Sequence, residues 1–425
     1  MDKVAPIDFR QQTLENGLRV FLVSEKRIPL VHVTVHYQVG SSYEAPGFSG
    51  FAHLFEHMMF QGSDNLAKNE HGRLVDEAGG RWNASTNKDR TNYYQTLPSH
   101  QLRLGLWLEA ERMSSLKVTP ENFENQRSTV IEEKKQNYDN RPYGQAFLNF
   151  DRLAYRNWAY AHPVIGDEED LRKADVEDAQ AFHRTHYGPD NAILVICGDF
   201  EEEEALQAVV DYFGPINHKT KSVRPDLDEP PQEEPTLEVM EDRLATLPAV
   251  YMGFHMPEMG SDDFYALSML GIILTQGNSS RLYREFTYKR NWITSLSGGP
   301  NNYRGPEMFN LFFLIQRRAQ IDEVVKAVMD QLDELTAEPV SEEELEKARN
   351  LYAYRFVSGC AKISGIGERL ARYAVYFGDP GRFNRDLQHY EAVTPQDIMA
   401  AARRTFRPQN STMLKILPQP DARPS

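Results

Sequence analysis

Two histidines separated by three residues, with a glutamate beside the second, stand at His53-Leu54-Phe55-Glu56-His57. On a helix, residues four apart lie one above the other on one face. Both imidazoles then reach a single cation. Glu56 follows His53 by three and precedes His57 by one, close enough to that face to touch a metal-bound water. Imidazole pairs suit zinc, and catalytic zinc sites carry three protein ligands plus a water. The chemistry on offer is a metal-bound water with a carboxylate in reach of it. The plainer alternative is a structural cluster whose members satisfy one another. The flanks weigh against it. Phe51, Leu54, Phe55, Met58, Met59 and Phe60 make the segment a largely buried helix, where an unpaired charge is costly. A metal satisfies all three side chains.

The remaining parts of such a site must come from other elements. A helix expected at about 121–138 opens on Thr119-Pro120, a cap and first-turn signal. It carries Glu132 and Glu133, both candidates for the third ligand, and Gln126, Val130 and Glu133 share one of its faces. The pattern alone leaves the two glutamates open, and either could be a solvent-facing charge. Residues 81–96 read as a hairpin. The segment Asn83-Ala84-Ser85-Thr86 is too small and polar for a core strand. It is a solvated edge strand, or a strand that pairs with an extended peptide.

Around these lie elements with clear periodicity. Strands are expected at 18–24 and 30–39, where Val31, Val33, Val35 and Tyr37 alternate with His32, Thr34, His36 and Gln38. Helices follow at about 68–78, 100–115, 143–155 and 175–186, then a strand at 192–197 and a helix at 202–213. From His218 to Pro235 the chain turns polar and Pro-rich, as a linker does. The second half has strands near 248–255, 293–298, 308–315 and 411–416. Its helices are expected near 262–274, 280–288, 321–335, 341–357, 363–377 and 395–405.

Composition narrows the class. The chain has 425 residues, too many for one ordinary core, with 40% hydrophobic and 26% charged residues. A net charge of −15 leaves no basic face for nucleic acid. No apolar run approaches the ~18 residues of a membrane span. The start, Met1-Asp2-Lys3-Val4-Ala5-Pro6, has no apolar signal region, so the expected location is cytoplasmic, or periplasmic if a signal has been removed. Cys197 and Cys360 are too few and too far apart for a disulfide framework, and both are expected to be buried.

The halves are related. Asp178, Ala181, Arg184, Pro189 and Asn191 match Asp397, Ala400, Arg403, Pro408 and Asn410, each pair 219 residues apart. In both copies a helix leads into a strand. The fold class expected is α+β, with two homologous lobes of antiparallel sheet plus helices. The division is 1–217, a linker at 218–235, and 236–425. The second copy lacks the His-x-x-Glu-His pattern, so only the first is expected to hold a metal.

Taken together, the chain resembles the pitrilysin/insulinase family of zinc peptidases, the inverzincins. Within it the chain is most similar to the single-repeat bacterial type related to the mitochondrial processing peptidase beta subunit. The resemblance covers nearly the whole chain. It rests on Gly17-Leu18-Arg19-Val20, the His53 pentad, Asn83-Ala84-Ser85-Thr86, Asn125-Gln126-Arg127 leading to Glu132-Glu133, Arg141-Pro142-Tyr143-Gly144 and Ser279-Ser280-Arg281-Leu282. It implies a zinc metalloendopeptidase acting on short or unfolded peptides. It implies His53 and His57 as ligands, Glu56 as base and, by spacing, Glu133 rather than Glu132 as third ligand. It implies Asn83, Ala84 and Ser85 as the strand that templates the substrate.

Two positions depart from the family pattern. Gln126 stands where many members have an outer glutamate beside the site; it can orient a neighbour but adds no charge. Thr287 and Thr294 stand where active homodimeric members carry a substrate-holding arginine and tyrosine, and Tyr288, Arg290 and Arg304 are out of register for that role. The resemblance therefore implies the zinc-bearing subunit of a heterodimer whose partner supplies the arginine–tyrosine pair, with a homodimer as the other arrangement. The alternative function is a non-catalytic structural or assembly subunit.

Overall fold

A computed structural model describes residues 6–217 and 220–419. Met1–Ala5, and His218 and Lys219 at the head of the expected linker, lie outside the described residues. The chain divides into two compact units, neither contiguous in sequence. One takes residues up to Glu132 together with Pro163–Pro225 and Arg355–Arg385. The other takes Glu133–His162, Asp226–Tyr354 and Asp386 onward. Each half of the sequence thus lends a segment to the unit built mainly by the other half.

The first unit is built on a six-stranded sheet of β1 (Arg10–Thr13), β2 (Arg19–Ser24), β3 (Leu30–Tyr37), β4 (Arg81–Thr86), β5 (Thr91–Pro98) and β6 (Ala192–Gly198), in the order β1-β2-β6-β3-β5-β4. Only β2 and β6 run parallel; the other pairs are antiparallel. β6 is apolar and buried throughout, as expected of a strand covered on both faces. Four helices belong to the site's surroundings: α1 (Phe51–Met58), α2 (Glu70–Glu77), α3 (Leu102–Ser115) and α4 (Pro120–Lys134).

The alternation in β3 suggests one wet face, but His32, Thr34 and His36 are as buried as the valines between them. The cover is the helix Ile363–Phe377, lent by the second half of the sequence. Gly367 lies so close to His32 that an added Cβ would meet its ring at 2.8 Å. One turn position further on, Glu368 faces Nε2 of His36 at 3.1 Å and accepts from Nδ2 of Asn92 at 2.7 Å. A polar strand face is buried here because a carboxylate was brought to satisfy it.

The second unit has five strands, β7 (Thr236–Asp242), β8 (Ala249–Met256), β9 (Ile293–Pro300), β10 (Glu307–Ile315) and β11 (Ser411–Pro418), in the order β7-β11-β8-β10-β9. Again one pair, β7 with β11, is parallel. Removing β1 from the first sheet leaves the same order and the same directions. α5 (Gly144–Ala154), lent by the first half of the sequence, covers this sheet, with Phe150 stacked 3.7 Å from Tyr251.

The matched positions do the same work in both copies. Asp178 completes a capping box with Asp175 at the start of helix Val176–His186, and Asp397 completes one with Thr394 at the start of helix Pro395–Thr405. Asn191 donates to the carbonyls of Gln38 and His186; Asn410 donates to those of His255 and Thr405. Each asparagine thus ties the strand after the helix to the same neighbouring strand.

Some elements differ from expectation. β1 and β7 are edge strands that carry too many exposed residues to show a buried pattern. The helix expected at 121–138 ends at Lys134 and passes into a widened turn, Lys135–Asp139. The helix expected at 280–288 is a widened stretch over Tyr283–Lys289. Helix Phe383–Ala392 is not among the expected elements, although Phe383, Leu387 and Tyr390 give it an apolar face. Both cysteines are free thiols, and Cys360 is only half-buried.

Candidate metal centre

α1 has only eight residues, too short to hold its shape without tertiary contacts. Gly50 starts it at φ +92°, a left-handed conformation that glycine adopts freely. The cap comes from further back. The carboxylate of Glu44, 4% exposed, accepts the N–H of Gly50 at 2.8 Å and of Ala52 at 2.7 Å. The opposite charge at the helix N-terminus is favourable. In mid-helix the hydroxyl of Tyr93 donates to the carbonyl of Phe55 at 3.0 Å. Phe51, Leu54, Phe55 and Met58 are buried, leaving His53, Glu56 and His57 half-buried on the other side.

The His53 and His57 rings stand 4.9 Å apart between centroids, inclined at 78°. Glu133, on the last turn of α4, meets them. One ligand atom from each of the three residues lies within 4.8 Å of the other two. Among the described residues this is the one such group of histidine, cysteine or acidic side chains. α4 is one continuous helix from Pro120 to Lys134, and its last turn delivers the third member. Glu132 is exposed and outside the group, since neighbours on a helix point about 100° apart. Asn137, in the widened turn, donates to Oε1 of Glu133 at 3.3 Å.

Below α1 lies a buried polar layer that sequence patterns did not mark. The Arg112 guanidinium is sandwiched 4.5 Å from the Phe60 ring and 4.8 Å from the Tyr93 ring. It donates to Nδ1 of His71 at 2.7 Å and lies 3.5 Å from the fully buried Glu109. Burial raises the Glu109 pKa against the pull of Arg112. Burial, then Arg112, holds His71 well below the usual imidazole range, so it is neutral and passes a hydrogen bond on to Gln95. Glu44 and Tyr93 were also missed. An acid in a loop and a tyrosine in a strand carry no positional signal of their own.

β4 is an edge strand that pairs only with β5, in the register Asn83↔Tyr94, Ala84↔Tyr93, Ser85↔Asn92. The hairpin closes with the Asn87 N–H on the Arg90 carbonyl at 3.0 Å. Because bonded pairs alternate in such a ladder, Asn83 and Ser85 turn their backbone groups toward β5. Trp82, Ala84 and Thr86 turn theirs to the open edge. The Ala84 N–H meets Oδ1 of Asn83 at 2.9 Å, and Arg90 donates to the Ser85 carbonyl at 2.7 Å. Tyr94, on the face that carries Asn83 and Ser85, is held above its ordinary pKa by burial first and then by Glu368, with Glu56 adding to the effect.

Gln126 is buried, but its amide donates to Asn125 at 2.8 Å and makes no hydrogen bond with the three clustered side chains. In the second unit Thr287 is half-buried and Thr294 is exposed on the edge strand β9. Arg290 is engaged with Glu285 at 2.8 Å and stacked over Trp292, and Tyr288 is 82% exposed.

Two family models match this chain: Insulinase (Peptidase family M16) over residues 19–168 and Peptidase M16 inactive domain over residues 173–352. The chain belongs to the insulinase (M16) family of peptidases. Among its relatives is the zinc protease PqqE of Helicobacter pylori, 27% identical over 409 residues, spanning 96% of this chain and 92% of that protein. The zinc protease YmxG of Bacillus subtilis is 21% identical over 397 residues, spanning 93% and 95%. The crystal structure of a protease from Helicobacter pylori superposes with a TM-score of 0.94 at 27% identity, covering 97% of this chain and all of that one. The two-lobed α+β fold is that of M16-like peptidases.

Proposed function

We propose that this chain is a zinc metalloendopeptidase for short or unfolded peptides and that it acts as the zinc-bearing subunit of a heterodimer. The observation that carries this reading is the convergence of His53, His57 and Glu133 from two helices, with Glu56 on the same short helix. Two imidazoles and one carboxylate form a donor set one short of tetrahedral, which suits a catalytic zinc with an open position. Held by His53, His57 and Glu133, a zinc ion would supply a water of lowered pKa and a Lewis acid for the scissile carbonyl.

The chain's own residues do the rest. Glu56 takes a proton from the attacking water and returns it to the leaving amine. The outward backbone groups of Trp82 and Thr86 and the carbonyl of Ala84 on β4 pair with an extended peptide. Such pairing reads little sequence and rejects folded proteins, which have no free strand to offer. Thr287 and Thr294 offer neither a cation nor a phenol to the developing oxyanion. The partner, a homologue with the arginine–tyrosine pair, supplies them.

The test is cleavage of an internally quenched, unstructured peptide by the zinc-loaded chain, with Glu56→Gln alongside. Slow cleavage alone, raised by a homologous partner and lost in the variant, is the result expected. Full family-like rates from the chain alone would remove the heterodimer. A zinc-loaded chain inactive with and without a partner would make it a non-catalytic subunit.

A further inference from the structure

The two contacts that hold α1 come from the same direction. Tyr93 is on β5, directly opposite Ala84 of the edge strand. Its ring is backed by the Arg112 guanidinium, and its hydroxyl reaches the Phe55 carbonyl, between His53 and His57 in sequence. Glu44 sits at the end of the loop 40–44. That loop is bonded to the tip of the β4–β5 hairpin, through the Ser41 N–H to the Asn87 carbonyl at 3.2 Å and the Ser42 N–H to the Lys88 carbonyl at 2.9 Å. The approach is so close that a Cβ on Gly40 would stand 2.2 Å from the Asn87 carbonyl oxygen. The metal helix is therefore fastened at its N-terminus and in its middle to one hairpin, and that hairpin carries the open edge.

We infer that Tyr93 and Glu44 are positioning residues: together they fix the histidine helix against the β4–β5 hairpin, and so set the placement of the metal ligands relative to a peptide paired along β4. This rests on the zinc-peptidase reading given above. Neither side chain touches the reacting atoms. Tyr93 acts through the Phe55 carbonyl, which also accepts the Met59 N–H at 3.1 Å. Glu44 acts through the N–H of the N-cap residue Gly50 and that of Ala52, the second residue of α1. Outer partners that bond the ligand side chains directly are worth 10–100-fold in metal affinity; Tyr93 and Glu44 act one step further out, through the helix backbone, where a misplacement of about 1 Å costs about 100-fold in rate.

The experiment compares wild type, Tyr93→Phe and Glu44→Gln. Zinc affinity is measured by competition with a chromophoric chelator, the thermal midpoint of each zinc-free protein is recorded, and kcat and KM are determined separately with the partner present. Tyr93→Phe is expected to weaken zinc about tenfold and to lower kcat about tenfold at nearly unchanged KM. Its zinc-free midpoint should fall by only the few degrees that one lost hydrogen bond explains. Glu44→Gln keeps the shape but loses one acceptor and should weaken zinc further. If both variants bind zinc within twofold of wild type, the clamp has no positioning role, whatever happens to the midpoints. If wild type itself binds no zinc, the peptidase reading fails and this inference fails with it. If zinc affinity is retained and KM alone rises, the residues support the edge strand and not the metal helix, which also overturns the inference.

Discussion

Replacing Glu133 by glutamine should separate the metal centre from its surroundings, because Glu132 beside it provides an internal control. Glu133 is half-buried with its carboxylate in the three-residue group; Glu132 is exposed and outside it. Binding to the native state alone stabilises by RT ln(1 + [L]/Kd), about 4.1 kcal/mol at free zinc 1,000 times Kd. Losing an anionic ligand should cost at least the ~100-fold seen when outer partners are removed. The same zinc concentration is then about ten times Kd, and the stabilisation falls to about 1.4 kcal/mol. The loss of about 2.7 kcal/mol corresponds to roughly 5–10 °C for a unit of this size. Glu132→Gln, a surface change, should stay within about 0.5 kcal/mol. Differential scanning calorimetry at buffered free zinc, repeated with chelator, gives both numbers. With chelator the Glu133 variant should match the zinc-free wild type. Equal midpoints for the two variants in zinc, or a Glu133 deficit that persists in chelator, would show that Glu133 is not part of a metal site.

Two further predictions concern the scaffold. Arg112→Met strands the fully buried Glu109 and should destabilise by about 3–5 kcal/mol in urea titration, while the double variant with Glu109→Leu should recover most of the loss; no recovery would show that the pair is not the source. Glu307 is pushed up to about 7 by burial, against hydrogen bonds from the backbone N–H groups of Met308, Tyr303 and Asn301. A carboxyl with a raised folded-state pKa stabilises below its unfolded value near 4.5 and loses that contribution as pH rises through 7. Stability should therefore decline by up to about 3 kcal/mol between pH 4.5 and 7.5 from this group, and Glu307→Gln should flatten that part of the profile. An unchanged slope in the variant would assign the titration elsewhere.

The features that sequence made readable are those with a local cause. The His53 pentad, the Thr119-Pro120 helix start, the β4–β5 hairpin and the apolar run of β6 each announce themselves within a few residues. The repeat was readable for the same reason: Asp178 and Asp397 cap helices, and Asn191 and Asn410 tie strands, so the same residue types recur at one spacing. What could not be read depends on segments far apart in the chain. The polar face of β3 pointed to solvent until the helix Ile363–Phe377 supplied Glu368 and Gly367 to cover it. The exchange of segments between the halves leaves no mark on local periodicity. Arg112 looks like any basic residue late in a helix, and only the rings of Phe60 and Tyr93, brought from elsewhere, make it a buried one.

The duplication explains why the histidine helix needs so much support. The helix that follows β8, Asp262–Thr275, stands where α1 stands after β3, and it has 14 residues with ten of them buried. Its buried residues hold it, with Ser261 as an ordinary cap and side-chain bonds from Tyr265 to Asp386 and from Thr275 to the Gly298 carbonyl. α1 has eight residues, and three of them, His53, Glu56 and His57, are kept off the core. Those positions cannot contribute apolar burial, worth about 1.5–3 kcal/mol for each large side chain. The lost packing is offset by polar contacts that reach the backbone instead of the side chains: Glu44 at the Gly50 and Ala52 N–H groups, Tyr93 at the Phe55 carbonyl. That choice leaves the histidine and glutamate side chains available for chemistry while the helix that carries them is fixed. In the second copy no side chain has to be kept available, and ten buried residues carry most of the hold.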